Sequence, residues 1–293
     1  MTLKKLKTKT LLLALSFLLN PLSANATFSI AAVDLVTGEV GSAGATCINN
    51  FDLGPYISYI VPGRGVVNYQ AYGNTSVFPL TLERILANDT AAEVMQAVND
   101  ADSNYQSRQR LIITMHGSRA EKSVFTGSVP LNYGGHASEI VGYDYVIGGN
   151  LLIGRHVLID MEKAFNTAGG DLTHKLMTSL KSAVATIGAD QRCLQLGVSS
   201  ATAYVKVAKK TDPVNTPSFS IRYNSITAGV DPITRVFTQY LDIRPDSDND
   251  GMPNILDAFP NDPSETSDWN NDGIGDSYDL DAEGYNYRCT ISH

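Results

Sequence analysis

The stretch TFSIAAVDLVTGEVGSAGATC, residues 27–47, carries the strongest indication of the fold in this sequence. Two runs of small and β-branched residues flank the dipeptide Thr37-Gly38, and glycine allows the positive φ that a tight hairpin turn requires. The sequence therefore predicts an antiparallel strand pair that begins at Thr27.

The residues before this hairpin have the composition of a secretory leader. Residues 1–26 combine lysines at positions 4, 5, 7 and 9 with an apolar run from Leu11 to Leu19, and they end in Ala24-Asn25-Ala26. The apolar run is about ten residues long, whereas a membrane-spanning helix needs ~20. We expect cleavage after Ala26, a mature chain starting at Thr27, and a soluble secreted or periplasmic protein with no membrane span.

The negative charge is concentrated at the C-terminal end. The whole chain has a formal net charge of -8, and 13 of its 30 acidic residues lie from Asp242 onward, accompanied by only Arg244 and Arg288. Residues 27–241 are consequently close to neutral. This distribution argues against nucleic acid or an anionic membrane surface as a partner.

Residues 27–241 are long enough for one domain with a sizeable core. Strand patterns come first and last, and helical patterns lie between them, including a capping box at Thr90 and Glu93 and a helix start at Asp171. The stretch 117–149 reads as loop-rich. The predicted strands are 56–63, 65–73, 110–115, 201–208 and 218–224, and the predicted helices cover 78–102, 156–165 and the residues after 171. This order favours an α+β layered fold with a mainly antiparallel sheet.

Thr27 is of chemical interest because it would become the N-terminal residue. Such a threonine can use its Oγ as a nucleophile and its own α-amino group as the base. The α-amino pKa of roughly 7.7 to 8.0 lets a useful fraction be neutral near physiological pH. The alternative is that Thr27 is merely one of the small residues that commonly follow a cleavage site.

Five segments resemble the bacterial family 1028 of domains of unknown function, which is placed with the N-terminal nucleophile (Ntn) hydrolases. They are TFSIAAVDLVTGEVGSAGATC, VVNYQAYGN, the pair Arg108-Gln109, YVIGGNLL and GADQRCLQLGVSSATAYVKVA. The resemblance implies a four-layer αββα sandwich. It also implies hydrolysis of an amide, or less readily an ester, through an acyl-enzyme on Thr27.

The same resemblance suggests further site residues. Asn150 would be a second catalytic residue, as an oxyanion or substrate contact, although an asparagine after two glycines can also be a loop cap. The candidate substrate-binding residues are Gln70, Asn74, Asp190 and Arg192. Asp190 and Arg192 could instead form a structural salt bridge. Cys47, Cys193 and Cys289 allow three disulfide pairings, of which the resemblance favours Cys47–Cys193.

The C-terminal segment, residues 242–283, contains two copies of an EF-hand-like pattern 22 residues apart. The predicted calcium ligands are Asp246, Asp248, Asp250 and Asp257 in the first copy and Asp268, Asn270, Asp272 and Asp279 in the second. The segment resembles thrombospondin type 3 repeats, short units that wrap around Ca²⁺. The alternative is a disordered acidic tail. We expect structural Ca²⁺ here, no cofactor for catalysis, and a short C-terminal end at 284–293.

Two functional hypotheses follow from the sequence. The first is an exported Ntn-type amidohydrolase that acts on a small amide or peptide and carries a structural calcium-binding tail. The second is a non-catalytic protein that binds an envelope or matrix component through the calcium repeats and keeps the fold as a scaffold.

Overall fold

The computed structural model describes residues 27–131, 136–142, 144–227, 229–270 and 272–277. The predicted leader, the C-terminal end and Asp279 lie outside the described residues. The strands are β1 Thr27–Val33, β2 Val40–Thr46, β3 Ser58–Val61, β4 Gly65–Ala71, β5 Arg108–His116, β6 Arg119–Thr126, β7 His136–Val141, β8 Tyr145–Leu152, β9 Thr202–Ala208 and β10 Phe219–Tyr223. The α-helices are α1 Leu53–Ile57, α2 Phe78–Leu86, α3 Ala91–Asp100, α4 Ser128–Leu131, α5 His156–Thr167, α6 Leu172–Ser182 and α7 Pro232–Asp242.

The predicted hairpin lies at the centre of a six-stranded antiparallel sheet with the order β10-β9-β2-β1-β8-β7. Thr27 pairs with Thr46, so the antiparallel pair begins at Thr27 as the sequence predicts. Asp34 stabilises the turn because its Oδ1 accepts hydrogen bonds from the backbone N–H groups of Val36 and Thr37. Gly38 has a φ of +75°, the conformation for which glycine is suited.

A second antiparallel sheet, β3-β4-β5-β6, lies against the first. Helices α5, α6 and α7 pack on the outer face of the six-stranded sheet, and α2 and α3 pack on the outer face of the four-stranded sheet. The chain is therefore an α+β sandwich in which the two sheets face each other and helices cover both outer faces.

The structure departs from the sequence prediction in the stretch 117–149. It contains β6, α4, β7 and the first part of β8, where the sequence indicated mostly loop. Strand β6 is half-buried along nearly its whole length, so it lacks the alternation of apolar and polar residues that identifies a strand. Helix α7 was also missed, although Asp231 caps it and Pro232 occupies its first turn.

A disulfide joins Cys47 to Cys193, with a Cα–Cα distance of 5.6 Å. It ties the end of β2 to the helical turn that precedes β9. The expected pairing is therefore present, while Cys289 lies outside the described residues. No helix in the described part of the chain is both long enough and apolar enough to cross a membrane.

Candidate functional site

Thr27 lies at the start of the central strand β1, between two strand neighbours. It pairs with Thr46 on β2 and with Asn150 on β8, and all three residues are buried. Residues that pair directly across neighbouring strands point to the same face of the sheet. The side chains of Thr27, Thr46 and Asn150 therefore all face the four-stranded sheet.

The layer between the two sheets changes from apolar to polar toward Thr27. Near the hairpin turn it is filled by an apolar cluster that includes Val33, Val40, Ile60 and Ile113. Toward Thr27 the layer contains many buried polar residues, among them Thr27, Ser29, Ser42, Thr46, Asn68, Gln70, Gln109, Asn150, Tyr204 and Lys206. Buried polar groups are tolerated only when they are hydrogen-bonded, so this half of the layer requires a connected network.

One branch of that network connects the two sheets through Ser29. Its hydroxyl donates to Gln70 Oε1 at 2.6 Å and accepts from Asn68 Nδ2 at 3.0 Å. Asn68 Oδ1 in turn accepts from the hydroxyl of Ser42 at 2.9 Å. Gln70 Nε2 also reaches the backbone carbonyl of Thr27 at 3.5 Å. The predicted site residue Gln70 is therefore a neighbour of Thr27.

Gln109 is the centre of the second branch. Its Oε1 accepts from Gln70 Nε2 at 2.6 Å and from Asn150 Nδ2 at 3.1 Å. Its Nε2 donates to the carbonyl of Gly149 at 3.0 Å and to the hydroxyl of Thr126 at 2.8 Å. Gln109 was predicted only as part of the Arg108-Gln109 pair and was given no role. The feature that could have identified it is a glutamine at the start of an apolar strand.

The two polar atoms of the Asn150 side chain differ in their hydrogen bonding. Its Nδ2 is committed to Gln109, while its Oδ1 is buried and has no hydrogen-bond partner. The residue is only 1% exposed, so water has little access to that oxygen. A buried amide oxygen without a donor costs about 1–3 kcal/mol. The arrangement therefore has room for one more donor near Thr27.

Asp190 and Arg192 form a salt bridge with an N–O distance of 2.8 Å. Asp190 Oδ2 also accepts from the backbone N–H of Cys47 at 2.6 Å, and the Arg192 guanidinium donates to the hydroxyl of Thr46 at 3.1 Å. This pair holds the end of β2 beside Thr27. The geometry supports the structural role, and contact with a substrate stays a prediction.

The structure does not bring Asn74 into this cluster. Its Oδ1 accepts from the backbone N–H of Ser76 at 3.1 Å and from the Ser76 hydroxyl at 2.6 Å, so it caps the short helical turn before α2. None of the hydrogen bonds described for Asn74 joins it to Thr27. The prediction rested on its place in the segment VVNYQAYGN, one of the segments that carry the family resemblance.

Lys206 is a buried cation in the same layer, on β9. Its Nζ donates to the backbone carbonyl of Ser58 at 2.7 Å. Burial lowers its pKa to about 7, and the charge of Asp52 offsets part of that effect. Lys206 was not singled out from the sequence, because a lysine in a strand is ordinarily exposed.

Residues 27–251 match the model of a family described as a family of unknown function, DUF1028. The chain belongs to this family. Among solved structures it is similar to the crystal structure of protein SPO2555 from Silicibacter pomeroyi, a protein assigned to the same family, with a TM-score of 0.58. The two sequences are 20% identical, and the similarity covers 74% of this chain and 88% of that one. At this identity the similarity shows the fold alone. No curated protein matches this chain.

The DUF1028 match ends at Gly251, and two acidic loops lie at and beyond that end. We call residues 246–257 the first loop and residues 268–279 the second loop. Both repeat three hydrogen bonds in which a side-chain oxygen accepts from a backbone N–H group at an equivalent position. The pairs are Asp246 with Gly251, Asp250 with Met252 and Asn254 with Ser247 in the first loop, and Asp268 with Gly273, Asp272 with Ile274 and Asp276 with Trp269 in the second.

The first loop brings carboxylates together. Oxygens of Asp246, Asp248 and Asp250 all lie within 4.8 Å of one another. Removal from water and the charges of Asp250, Asp257 and Asp246 raise the pKa of Asp248. Asp257 is 8% exposed, and its Oδ2 has no hydrogen-bond partner. Carboxylate oxygens are ligands that Ca²⁺ prefers, so the first loop offers part of the six to eight oxygens that this ion takes.

A carboxylate outside the twelve-residue pattern lies against the second loop. Glu265 is 4% exposed, its Oε2 accepts from the backbone N–H of Ser277 at 3.2 Å, and its Oε1 has no partner. It lies against Gly275, where an added Cβ would collide with its carboxyl group. Glu265 was not predicted as a ligand from the sequence because it precedes the twelve-residue pattern.

The first loop is attached to the DUF1028 domain. Arg244 donates to Asp171, the N-cap of α6, at 2.7 Å, and to the hydroxyl of Tyr240 at 2.8 Å. Ile255 lies against Gly170, where an added Cβ would meet its Cδ1 at 2.9 Å. Ile255 of the first loop and the preceding Arg244 therefore both contact the N-terminal end of α6.

Proposed function

We propose that this DUF1028 protein is an exported amidohydrolase that uses Thr27 as an N-terminal nucleophile on a small amide or peptide. The observation that carries the proposal is the position of Thr27. It begins the central strand at the polar end of the layer between the sheets, beside Gln70 and Asn150. Removal of the leader after Ala26 would give it a free α-amino group.

The bond changes and proton transfers can be written with Thr27, the substrate and water. The Oγ attacks the amide carbonyl carbon and passes its proton to the α-amino nitrogen of the same residue. The tetrahedral intermediate then loses the amine, which takes that proton, and an ester on Thr27 remains. Water attacks the ester, the carboxylic acid leaves, and the threonine hydroxyl is restored.

The composition of the layer supports a site at this end. A layer needed only for stability could be apolar throughout, as its other half is. Replacing both partners of a buried hydrogen bond by apolar groups of the same shape can be nearly neutral or stabilising. The cluster around Thr27 is therefore better explained by a function than by packing alone. The neutral body gives no preference for a charged substrate.

The test begins with the N-terminal sequence and intact mass of the exported protein. A start at Thr27 with a free amine is expected, followed by hydrolysis of members of an amide library. Thr27→Ala should lose that activity, whereas Thr27→Ser should keep a part of it because the hydroxyl stays. Thr211→Ala, in an exposed loop, is the control. Full activity in a folded, correctly processed Thr27→Ala protein would overturn the proposal.

We also propose that the tail binds Ca²⁺ through both loops. In the first, Asp246, Asp248, Asp250 and Asp257 would hold the ion, supported by the unpartnered Asp257 oxygen. In the second, Asp268, Asn270, Asp272 and Asp279 would be joined by Glu265. The ion would supply structural charge compensation and take no part in the reaction.

The tail also favours a second candidate function, attachment to an envelope or matrix component. The observation behind it is Trp269, which is 91% exposed in the second loop. Exposed aromatic side chains are common anchors in binding surfaces. If the mature chain starts elsewhere than at Thr27, this non-catalytic function becomes the better account of the protein.

A further inference from the structure

The orientation of three side-chain amides in the site is determined by one backbone carbonyl. The Gly149 carbonyl can only accept, so the atom of Gln109 that lies 3.0 Å from it must be the donor Nε2. Gln109 Oε1 consequently points the other way, toward Gln70 and Asn150. Since an amide oxygen only accepts, Asn150 must present its Nδ2 to Gln109. The unpartnered atom of Asn150 is therefore its Oδ1.

The sheet register places the backbone nitrogen of Thr27 on the side of Asn150. Val33 N donates to the carbonyl of Asp144 at 2.9 Å, which makes that pair a hydrogen-bonded pair of β1 and β8. Hydrogen-bonded and non-hydrogen-bonded pairs alternate along antiparallel strands. The regular register from Ala32 back to Thr27 then makes Thr27 and Asn150 a hydrogen-bonded pair as well. In such a pair the Thr27 nitrogen is directed at the backbone carbonyl of Asn150, and the free amine that leader removal would give has further hydrogens for the Asn150 side chain.

We propose that Asn150 Oδ1 accepts a hydrogen bond from the α-amino group of mature Thr27. This inference rests on the proposed function in one respect, the free α-amino group that leader removal would give Thr27. Asn150 thus binds the base of the reaction, and its Nδ2, held by Gln109, is not available for the oxyanion. Gln109 is a positioning residue, because it fixes which atom of Asn150 faces Thr27.

The α-amine pKa tests this assignment without any substrate. In mature protein, the pH dependence of labelling by trace isotopic acetic anhydride gives the pKa of the Thr27 amine. A carboxylate in place of the amide oxygen favours the charged amine, so Asn150→Asp should raise this pKa by roughly one unit. Asn150→Ala removes the acceptor and should lower it. Asn88→Asp is the matched control, because Asn88 is exposed and lines a surface cleft at the hairpin-turn end of β1.

Equal pKa values in the wild type, Asn150→Asp and Asn150→Ala would overturn the inference. A crystal structure of mature wild-type protein tests it even if both variants fail to fold. A distance of roughly 2.7–3.2 Å between Thr27 N and Asn150 Oδ1 is expected, and an Oδ1 turned away from the amine contradicts it. N-terminal sequencing separates the two failures: a start other than Thr27 removes the proposed function itself, whereas an unperturbed amine at Thr27 removes only the role of Asn150.

Discussion

At the scale of single residues, Lys206 makes a prediction about stability and pH. Its ordinary pKa is 10.5, and burial lowers the folded value to about 7. Between these values the unfolded chain holds a proton that the folded chain has lost, so wild-type stability should rise with pH from 7 to about 10. Below pH 7 both states are protonated and the full cost of the buried charge is present.

Lys206→Met removes this dependence. The unfolding free energy of the variant minus that of the wild type is expected to be largest at pH 7. This difference should decrease by roughly 2–4 kcal/mol by pH 10, because the wild type gains stability over that range. Urea unfolding across this range measures the difference. Lys209→Met, on an exposed lysine just beyond the same strand, should show no such trend. A constant difference for Lys206→Met would mean that Lys206 stays charged in the folded protein.

The individual site residues were predicted with uneven success, and the cause is physical. Asn150 and Gln70 do lie beside Thr27, because both face the layer between the sheets. Asn74 does not, because the chain leaves β4 before it and enters a helical turn. Gln109 was given no role because sequence periodicity shows which face a residue occupies but not which distant strand lies opposite.

At the scale of elements, the starts of two helices were predictable because side chains close in sequence form their caps. The capping box of α3 is formed by Thr90 and Glu93, and Asp171 caps α6. Strands β6 and β7 were missed although each pairs with a neighbour along the chain, Gln109 on β5 with Thr126 and Ile140 with Ile147 on β8. Strand β6 is half-buried along most of its length, so its sequence shows no clear alternation of apolar and polar residues.

The disulfide makes a prediction at this scale. Cys47 and Cys193 are 146 residues apart and fasten the end of β2 to the turn that carries Asp190. Cys47→Ala/Cys193→Ala should lower the unfolding free energy by about 2–4 kcal/mol. Denaturant unfolding measures this, with Cys289→Ser as the control. Wild-type protein treated with a reductant should approach the double variant, and an unchanged midpoint in the double variant would contradict a stabilising disulfide.

At the scale of the whole molecule, the DUF1028 domain has its own core, whereas the tail is proposed to depend on Ca²⁺. Hydrophobic clusters occupy both outer faces of the sandwich and the layer between the sheets. In both loops, by contrast, carboxylates accept hydrogen bonds from nearby backbone N–H groups. Chelation of Ca²⁺ is therefore expected to increase hydrogen exchange in 246–277 while most of 27–242 stays protected. Equal loss of protection in both parts would show that the domain needs the ion too.

The last prediction separates the two loops. Trp269 is the single tryptophan of the chain and lies in the second loop, so it should sensitise the luminescence of Tb³⁺ bound there, with Ca²⁺ as the competitor. Glu265→Gln should weaken this binding on the order of tenfold, because it removes charge from a buried, unpartnered oxygen.

Asp262→Asn is the matched control, since it removes one charge from the same tail at a carboxylate that caps a local turn through Ser264. Asp248→Asn, in the first loop, should leave the Trp269-sensitised signal in place. If Glu265→Gln binds Tb³⁺ as the wild type does, Glu265 is a packing residue against Gly275, and the second loop must complete its coordination from residues within the twelve-residue pattern.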